Sequence, residues 1–262
     1  MTAADNSNLN KDGWDQLSHH YQKSVTISTH EVHYGPNGPG DDTLHLIGDL
    51  EGKLVLDIGC GGGQTSIAMA RKGAKVVAVD QSTSQIEHAK KLAKHEGVEV
   101  DFRVLPAEQI SSLTQEDHQF DLVFSSFALS YVEDIELIFQ QAWELLKPQG
   151  RVIAAVGHPI TPVGWPENQK NIQGYSYFER KSEQWNWETP EGEIPFKTYS
   201  RTFSDWFNAF SNAGFTVIQV LEPEMFPSEK IKESPYYDTE TEEDRGRWER
   251  IPLTIIFVAQ RS

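Results

Sequence analysis

Apolar residues follow two rhythms along the first half of this chain. Short, almost uniformly apolar runs occur at Leu54-Val55-Leu56-Asp57-Ile58, at Lys75-Val76-Val77-Ala78-Val79, and at Phe120-Asp121-Leu122-Val123-Phe124. Runs of this kind read as strands buried on both faces, and segments 98–104 and 151–157 extend the series. Between them the apolar spacing becomes helical. Ile67, Ala68, Met69 and Ala70 mark a helix over 64–72, and Ile86, Ala89, Leu92 and Ala93 mark one over 83–95 behind a Ser82 cap. A third helix over 134–146 stops at Lys147-Pro148-Gln149-Gly150. The alternation predicts an α/β fold with parallel strands and helices on both faces. Ligands of such sheets bind at the carboxyl ends of the strands, where Asp57, Asp80, Ser125 and His158 all fall.

The flanks depart from this rhythm. Residues 1–12 read as a loose arm, and Trp14, Leu17 and Tyr21 predict a helix from Trp14 to Ile27. The run Gly35-Pro36-Asn37-Gly38-Pro39-Gly40 is a loop that is expected to carry His30, His33 and Tyr34 toward the mouth of the site. Asp41 or Asp42 then caps a short helix through Leu44, Ile47 and Leu50. Over 159–200 the alternation breaks down into irregular strands or loops. Here Trp165, Tyr175, Tyr177, Phe178, Trp185, Trp187, Phe196 and Tyr199 either seal a small subdomain or line a substrate pocket. A helix over 203–213 and a strand to Leu221 follow. Residues 222–250 are acid-rich and read as a solvated excursion or lid, and the last strand spans Ile251 to Ala259.

The candidate chemistry centres on Asp57-Ile58-Gly59-Cys60-Gly61-Gly62-Gly63-Gln64, a strand, a Gly-rich loop and the start of a helix. Such a loop lets backbone approach a nucleotide, and the helix amides point to the same place. The dinucleotide fingerprint requires a third glycine where this chain has Gln64, which argues against a dehydrogenase. Asp80, ending the next strand, is placed to accept hydrogen bonds from both hydroxyls of a ribose and disfavours a 2′-phosphate.

Four elements in order carry a family resemblance: the Asp57–Gly63 loop, Asp80 after its strand, Phe120-Asp121-Leu122-Val123-Phe124-Ser125, and Leu145-Leu146-Lys147-Pro148-Gln149-Gly150-Arg151. Over roughly residues 50–157 the chain resembles the class I S-adenosylmethionine-dependent methyltransferases, of the small-molecule kind related to the ubiquinone and menaquinone methyltransferases. The resemblance implies a Rossmann-like, seven-stranded, mostly parallel sheet of order 3-2-1-4-5-7-6 with an antiparallel last strand. One methyltransferase domain would span 1–262: lid helices in 1–50, a cofactor core in 51–157, a substrate-side insertion in 158–200, and completion of the sheet in 201–262. It implies S-adenosylmethionine as cofactor and S-adenosylhomocysteine as product. The expected cofactor contacts are Tyr21 from the N-terminal helix, Asp57, Gly59, Cys60, Gly61, Gln64, Asp80, Gln81, Ala107, Glu108 and Ser125, the last through its backbone, with Phe127 close by. Asp57 would anchor the ammonium end of the cofactor. Cys60 is read as a small packing residue of the loop, not a nucleophile. Where the family often has an Asp binding the adenine amino group, this chain has Pro106, and Glu108 or the backbone around Ala107 takes its place.

Methyl transfer needs a nucleophile with a free lone pair, so a general base is useful but not obligatory. His158, at the tip of the fifth strand, is the first candidate, with His33, His19 and His20 as rivals. His30 and His33 stand too close for the H-E-x-x-H zinc pattern, and no metal is expected.

Charge narrows the acceptor. With 23 basic against 39 acidic residues the net charge is −16, which disfavours tRNA, rRNA and DNA as partners. The expected activity is therefore methylation of an N, O or C atom of a neutral or cationic, aromatic small molecule in specialised metabolism. A quinone-pathway C-methyltransferase, a tRNA-modifying methyltransferase, and a sensor or scaffold that binds S-adenosylmethionine without turnover are the alternatives. The single cysteine, Cys60, excludes an intramolecular disulfide, and the absence of a long apolar run argues against a membrane span, so the expected location is cytoplasmic.

Overall fold

The computed structural model describes residues 8–116, 119–160, 176–239 and 245–262. Its centre is a seven-stranded sheet built from β2 (Leu54–Ile58), β3 (Lys75–Asp80), β4 (Asp101–Val104), β5 (Phe120–Ser126), β6 (Leu146–Gly157), β9 (Phe215–Leu221) and β11 (Thr254–Arg261). The order is β4-β3-β2-β5-β6-β11-β9. Numbered by their sequence within this sheet alone, the strands run 3-2-1-4-5-7-6, as the resemblance implies. The first five pair in parallel; β11 lies antiparallel between β6 and β9.

Side chains alternate across the sheet with the two-residue period of a strand. Leu56 and Ile58 of β2, Val123 of β5 and Val152 and Ala154 of β6 face one side, where they pack with α5 (Ile135–Leu145) and α6 (Phe203–Asn212). Val55, Leu122, Phe124, Ile153 and Ala155 face the other, against α3 (Gln64–Arg71), α4 (Thr83–Glu96) and the segment from Val32 to Leu50. Burial on both faces is why these strands read as nearly continuous apolar runs. Side-chain caps start the helices: Ser82 on α4, Asp134 on α5, and a Thr202–Asp205 capping box on α6. Among the described residues no helix is long and apolar enough to cross a membrane.

The flanks differ from expectation in four places. The N-terminal helix α1 covers Leu9–Ser24, and Val25–Ile27 is instead a short strand, β1, paired antiparallel with β10 (Tyr236–Asp238). Three consecutive β-branched residues, Val25, Thr26 and Ile27, favour this outcome. The helix at Asp41 lasts one turn, α2 (Asp41–Leu44), and ends at His45 in the left-handed conformation (φ 53°). Asp41 Oδ1 stabilises the exit by accepting the Leu46 and Ile47 amides and the Tyr34 hydroxyl. The region expected to be irregular contains a regular hairpin, β7 (Ser182–Thr189) and β8 (Gly192–Tyr199), joined across Pro190 and Glu191. Its Trp185, Trp187 and Phe196 pack with Trp14, Leu17 and Tyr21 of α1. Within 222–250, the acidic excursion buries Ile231 and Tyr236 and supplies β10.

Candidate active site

The Gly-rich loop between β2 and α3 folds back onto the end of β3. The Gly59 and Cys60 amides both donate to the Val79 carbonyl, at 2.8 and 3.0 Å, and the Gly61 amide donates to Asp80 Oδ2 at 2.9 Å. Two glycines do different work. At Gly59 (φ +72°) a Cβ would lie 2.1 Å from the Ala128 Cβ, so this glycine serves packing within the protein. At Gly61 (φ +52°) a Cβ would meet no protein atom within 4 Å, because the position opens into a cavity.

That cavity lies at the carboxyl ends of β2, β3 and β5 and encloses about 1000 Å³, open solvent at its mouth included. Its floor is the loop from Ile58 to Gly62 with Gln64 and Thr65; one wall is Asp80, Gln81, Leu105, Ala107 and Glu108; the other is Ser126 to Leu129. Helix α1 roofs it with Trp14, Tyr21 and Gln22, and β1 and β10 add Ile27 and Tyr236. The roof is fastened by side-chain amides: Gln64 Nε2 donates to Gln22 Oε1 at 2.6 Å, and Gln22 Nε2 donates to Gln85 Oε1 at 3.0 Å. Asp15 Oδ1 accepts from the Ser82 hydroxyl and the Ser84 amide, which docks α1 on the start of α4.

Of the expected cofactor contacts, Tyr21, Gly59, Cys60, Gly61, Gln64, Asp80, Gln81, Ala107 and Glu108 line this cavity. Asp80 accepts the Gly61 amide on Oδ2 and the Ser82 amide on Oδ1, and each oxygen keeps a lone pair for a further donor. Burial pushes its carboxyl above the usual range, against the lowering effect of those two amides. Burial likewise raises the Cys60 thiol well above its ordinary value, which suits packing and not nucleophilic work.

Asp57 and Ser125 are not among the lining residues. Asp57 is buried beneath the loop and accepts the Ser66 hydroxyl at 2.5 Å; burial chiefly, with Asp80 nearby, pushes its carboxyl up to about 7. Ser125 is turned inward, donating to the Ile58 carbonyl at 2.8 Å, and the next residue, Ser126, reaches the cavity instead.

The two candidate bases separate. His158 does not line the cavity, and both its ring nitrogens are used: Nδ1 accepts from the Ile160 amide at 3.1 Å, and Nε2 pairs with Glu222 at 2.7 Å. It shapes the turn after β6 and offers no lone pair to the cavity. His33 does line it, 3.5 Å from the Ser126 hydroxyl and edge-on to the Tyr236 ring. Burial holds its imidazole down at about 4, so it is neutral at pH 7. The neighbours expected with it diverge: His30 is exposed, and Tyr34 is a core residue against Phe124. His19 and His20 do not line the cavity either.

Of the aromatics from this region, Trp185, Trp187 and Phe196 settle as packing against α1, while Phe178 is exposed and Tyr199 donates to Glu133. Tyr177, Phe178, Trp185, Trp187, Phe196 and Tyr199 are absent from the lining, while Trp165 and Tyr175 lie outside the described residues. Sequence reasoning missed Gln22, Gln85, Tyr131 and Tyr236. Gln22 adjoins Tyr21 and was legible as its neighbour; Tyr236 sits far along the chain in an acidic segment and carries no local signal. Phe127 is held at φ +57°, a left-handed conformation rare for a bulky residue, at the end of β5 in the cavity wall.

These residues fit S-adenosylmethionine. The opening at Gly61 is a cradle that a side chain would fill, Asp80 keeps acceptor capacity, and Thr65 Oγ1 is buried in the floor with no hydrogen-bond partner among the described residues. Among those residues no group of three or more His, Cys, Asp or Glu could hold a metal ion.

Comparison with known proteins agrees. A family model described as a methyltransferase domain matches residues 55–150. An uncharacterised protein of Haemophilus influenzae is 33% identical over 228 residues, 81% of this chain and 84% of its own. A ubiquinone biosynthesis O-methyltransferase of Chelativorans sp. is 40% identical over 116 residues, 44% of this chain and 45% of its own, so the chain spans less than half of that relative. Among solved structures, an S-adenosylmethionine dependent methyltransferase from Mesorhizobium loti superimposes with a TM-score of 0.62 at 22% identity, over 83% of this chain and 95% of that one, and shares the fold. The chain is an enzyme with a methyltransferase domain over residues 55–150, built on the fold of the S-adenosylmethionine-dependent methyltransferases.

Proposed function

We propose that this enzyme methylates an N, O or C atom of a small, neutral or cationic molecule that enters the cavity between α1, His33 and Tyr236. One observation carries the reading: a single cavity is lined both by Gly61, Thr65 and Asp80, the groups that fit the cofactor, and by Tyr21, His33, Phe127, Tyr131 and Tyr236, which remain for an acceptor. The acidic net charge and a lining that holds no Lys or Arg among the described residues support an acceptor that is not an anion.

Bound S-adenosylmethionine supplies an electrophilic methyl carbon. The protein's part is to position and to exclude water. Asp80 accepts the ribose hydroxyls. The open backbone at Gly61 lets the methionine portion lie close. Glu108 and the Ala107 backbone meet the adenine, and Tyr21 closes over the cofactor from α1. Asp57 acts from below the loop, through Ser66 and the helix start, and not by direct contact. His33, kept neutral by burial, has a lone pair that accepts a hydrogen bond from the acceptor N–H or O–H and orients its nucleophilic atom.

A second reading, a quinone-pathway acceptor, is supported by the likeness to O-methyltransferases of ubiquinone biosynthesis. Their match covers less than half of either chain, and so bears on the shared core more than on the acceptor wall.

The test is calorimetric titration with S-adenosylmethionine and S-adenosylhomocysteine, on the native enzyme and on Asp80→Ala. Each hydrogen bond to the carboxylate is worth about 1.5–3 kcal/mol, so the variant should bind at least tenfold more weakly. Equal affinity in the two proteins would remove Asp80 from the cofactor site.

A further inference from the structure

Three tyrosine hydroxyls meet on the acceptor side of the cavity, drawn from widely separated parts of the chain. Tyr21 comes from α1, Tyr131 from the turn after β5 (Leu129–Tyr131), and Tyr236 from β10. All three line the cavity. The Tyr21 and Tyr236 hydroxyls bond to one another at 2.5 Å. Trp14 packs edge-on against the rings of both Tyr21 and Tyr131, at 5.4 and 5.7 Å. The ring of His33 stands 5.0 Å from that of Tyr236.

Counting protons at these hydroxyls shows what they are equipped to bind. Burial pushes Tyr21 up to about 12 and raises Tyr131 and Tyr236 as well; the hydrogen bond with Tyr236 lowers Tyr21 in part, and the nearby Asp238 carboxylate adds to the rise at Tyr21 and Tyr236. All three therefore stay protonated at neutral pH. One proton serves the Tyr21–Tyr236 bond. Two O–H donors make no further hydrogen bond among the described residues and are left for a ligand in the cavity: the Tyr131 hydroxyl and the second proton of the bonded pair. An ammonium group brings only donors and would leave both protons unplaced. A carboxylate would accept both, but it would enter a cavity whose lining holds Asp80 and Glu108, a neutral His33 and no Lys or Arg among the described residues. Its charge would lie uncompensated in a buried site.

We propose that Tyr21, Tyr131 and Tyr236 form a subsite for an uncharged oxygen, a hydroxyl or carbonyl, on the methyl acceptor, and that this subsite narrows the neutral or cationic class proposed above to neutral acceptors, excluding anions and cations alike. The inference rests on the methyl-transfer reading only for the word acceptor; the subsite itself is a property of the three hydroxyls.

The test uses three one-ring probes that differ in their polar group: benzyl alcohol, benzoate and benzylammonium. Their dissociation constants are measured by ligand-observed NMR on the full chain, with and without saturating S-adenosylhomocysteine. Benzyl alcohol should bind at least fivefold more tightly than either ion. Tyr131→Phe and Tyr236→Phe should each weaken it about five- to tenfold, the effect of one lost hydrogen bond, while changing S-adenosylhomocysteine affinity less than twofold. Tyr131→Phe is the cleaner variant, because that hydroxyl holds no other side chain in place. Equal or reversed ranking of the probes, no saturable binding of benzyl alcohol, or unchanged binding in both variants would overturn the subsite. Failure of S-adenosylhomocysteine to bind would instead count against the cofactor reading, and the probe ranking would still decide the subsite.

Discussion

Asp57 is a carboxyl buried beneath the cofactor loop, and replacing it with Asn should make the protein more stable at alkaline pH. Its exposure is 2%, its one side-chain partner is the Ser66 hydroxyl, and its carboxyl is raised to about 7 from an ordinary value of 3.8. A carboxyl whose folded value is raised favours folding only below its unfolded value, and that advantage is lost as the pH climbs through the folded value. At pH 8 the gap corresponds to about 4 kcal/mol of lost stability; at pH 5 the loss is roughly 2 kcal/mol, and by pH 3 it vanishes. Asn keeps the shape and can still accept from Ser66. Asp57→Asn should therefore gain about 4 kcal/mol at pH 8 and about 2 kcal/mol less than that at pH 5. Urea unfolding followed by tryptophan fluorescence at the two pH values, without cofactor, measures both. An Asn variant equal to the native protein at both, or weaker at pH 8, would refute the argument. A native carboxyl kept at such a cost points to use, and the same variant should bind S-adenosylmethionine more weakly.

Two further predictions concern the same cavity. His33 carries the opposite sign: burial depresses its folded value to about 4 from 6.5, so the stability it permits is present above 6.5 and drains away as the pH falls toward 4. His33→Gln should remove about 2 kcal/mol of acid-side loss between pH 8 and pH 5, and an unchanged pH slope in urea titrations would count against a buried neutral imidazole. Among the glycines, Gly59→Ala should destabilise by 3 kcal/mol or roughly more, since its Cβ would collide with Ala128 and its φ is left-handed, whereas Gly61→Ala should cost only about 1–2 kcal/mol of stability but weaken cofactor binding. Thermal melts and calorimetry on the pair separate the two roles, and equal stability losses would erase the distinction.

The central sheet was legible because its strands are buried on both faces and leave no ambiguity of period: Leu54–Ile58, Lys75–Asp80 and Phe120–Ser126 lie within a residue or two of expectation. The floor of the cavity was legible for a related reason. A loop that must turn sharply beside a ligand needs glycine, and Asp80 is fixed by the strand that it ends. Failures came where orientation, not position, decides. Ser125 and Ser126 are adjacent on β5, yet one bonds inward to Ile58 and the other meets the cavity. His158 stands at a strand end as expected, but Glu222, 64 residues later, turns its ring away. The roof was only partly legible: Tyr21 and its neighbour Gln22 stand on a readable helix, but Tyr131 and Tyr236 acquire meaning only when distant segments meet. The hairpin aromatics show the same limit: alternation in Gln184-Trp185-Asn186-Trp187 is a strand signal, but only the structure shows that α1 is what they pack against.

The pairing of β1 with β10 joins residues 25–27 to residues 236–238. During synthesis the amino-terminal helix therefore leaves the ribosome long before its partner exists, and β11, placed inside the sheet between β6 and β9, arrives later still. Contacts of such long sequence separation form slowly and late. The floor of the cavity and the roof that covers it thus mature at different times, so a nascent chain can hold every residue of the Gly-rich loop and still be unable to shelter a ligand from water.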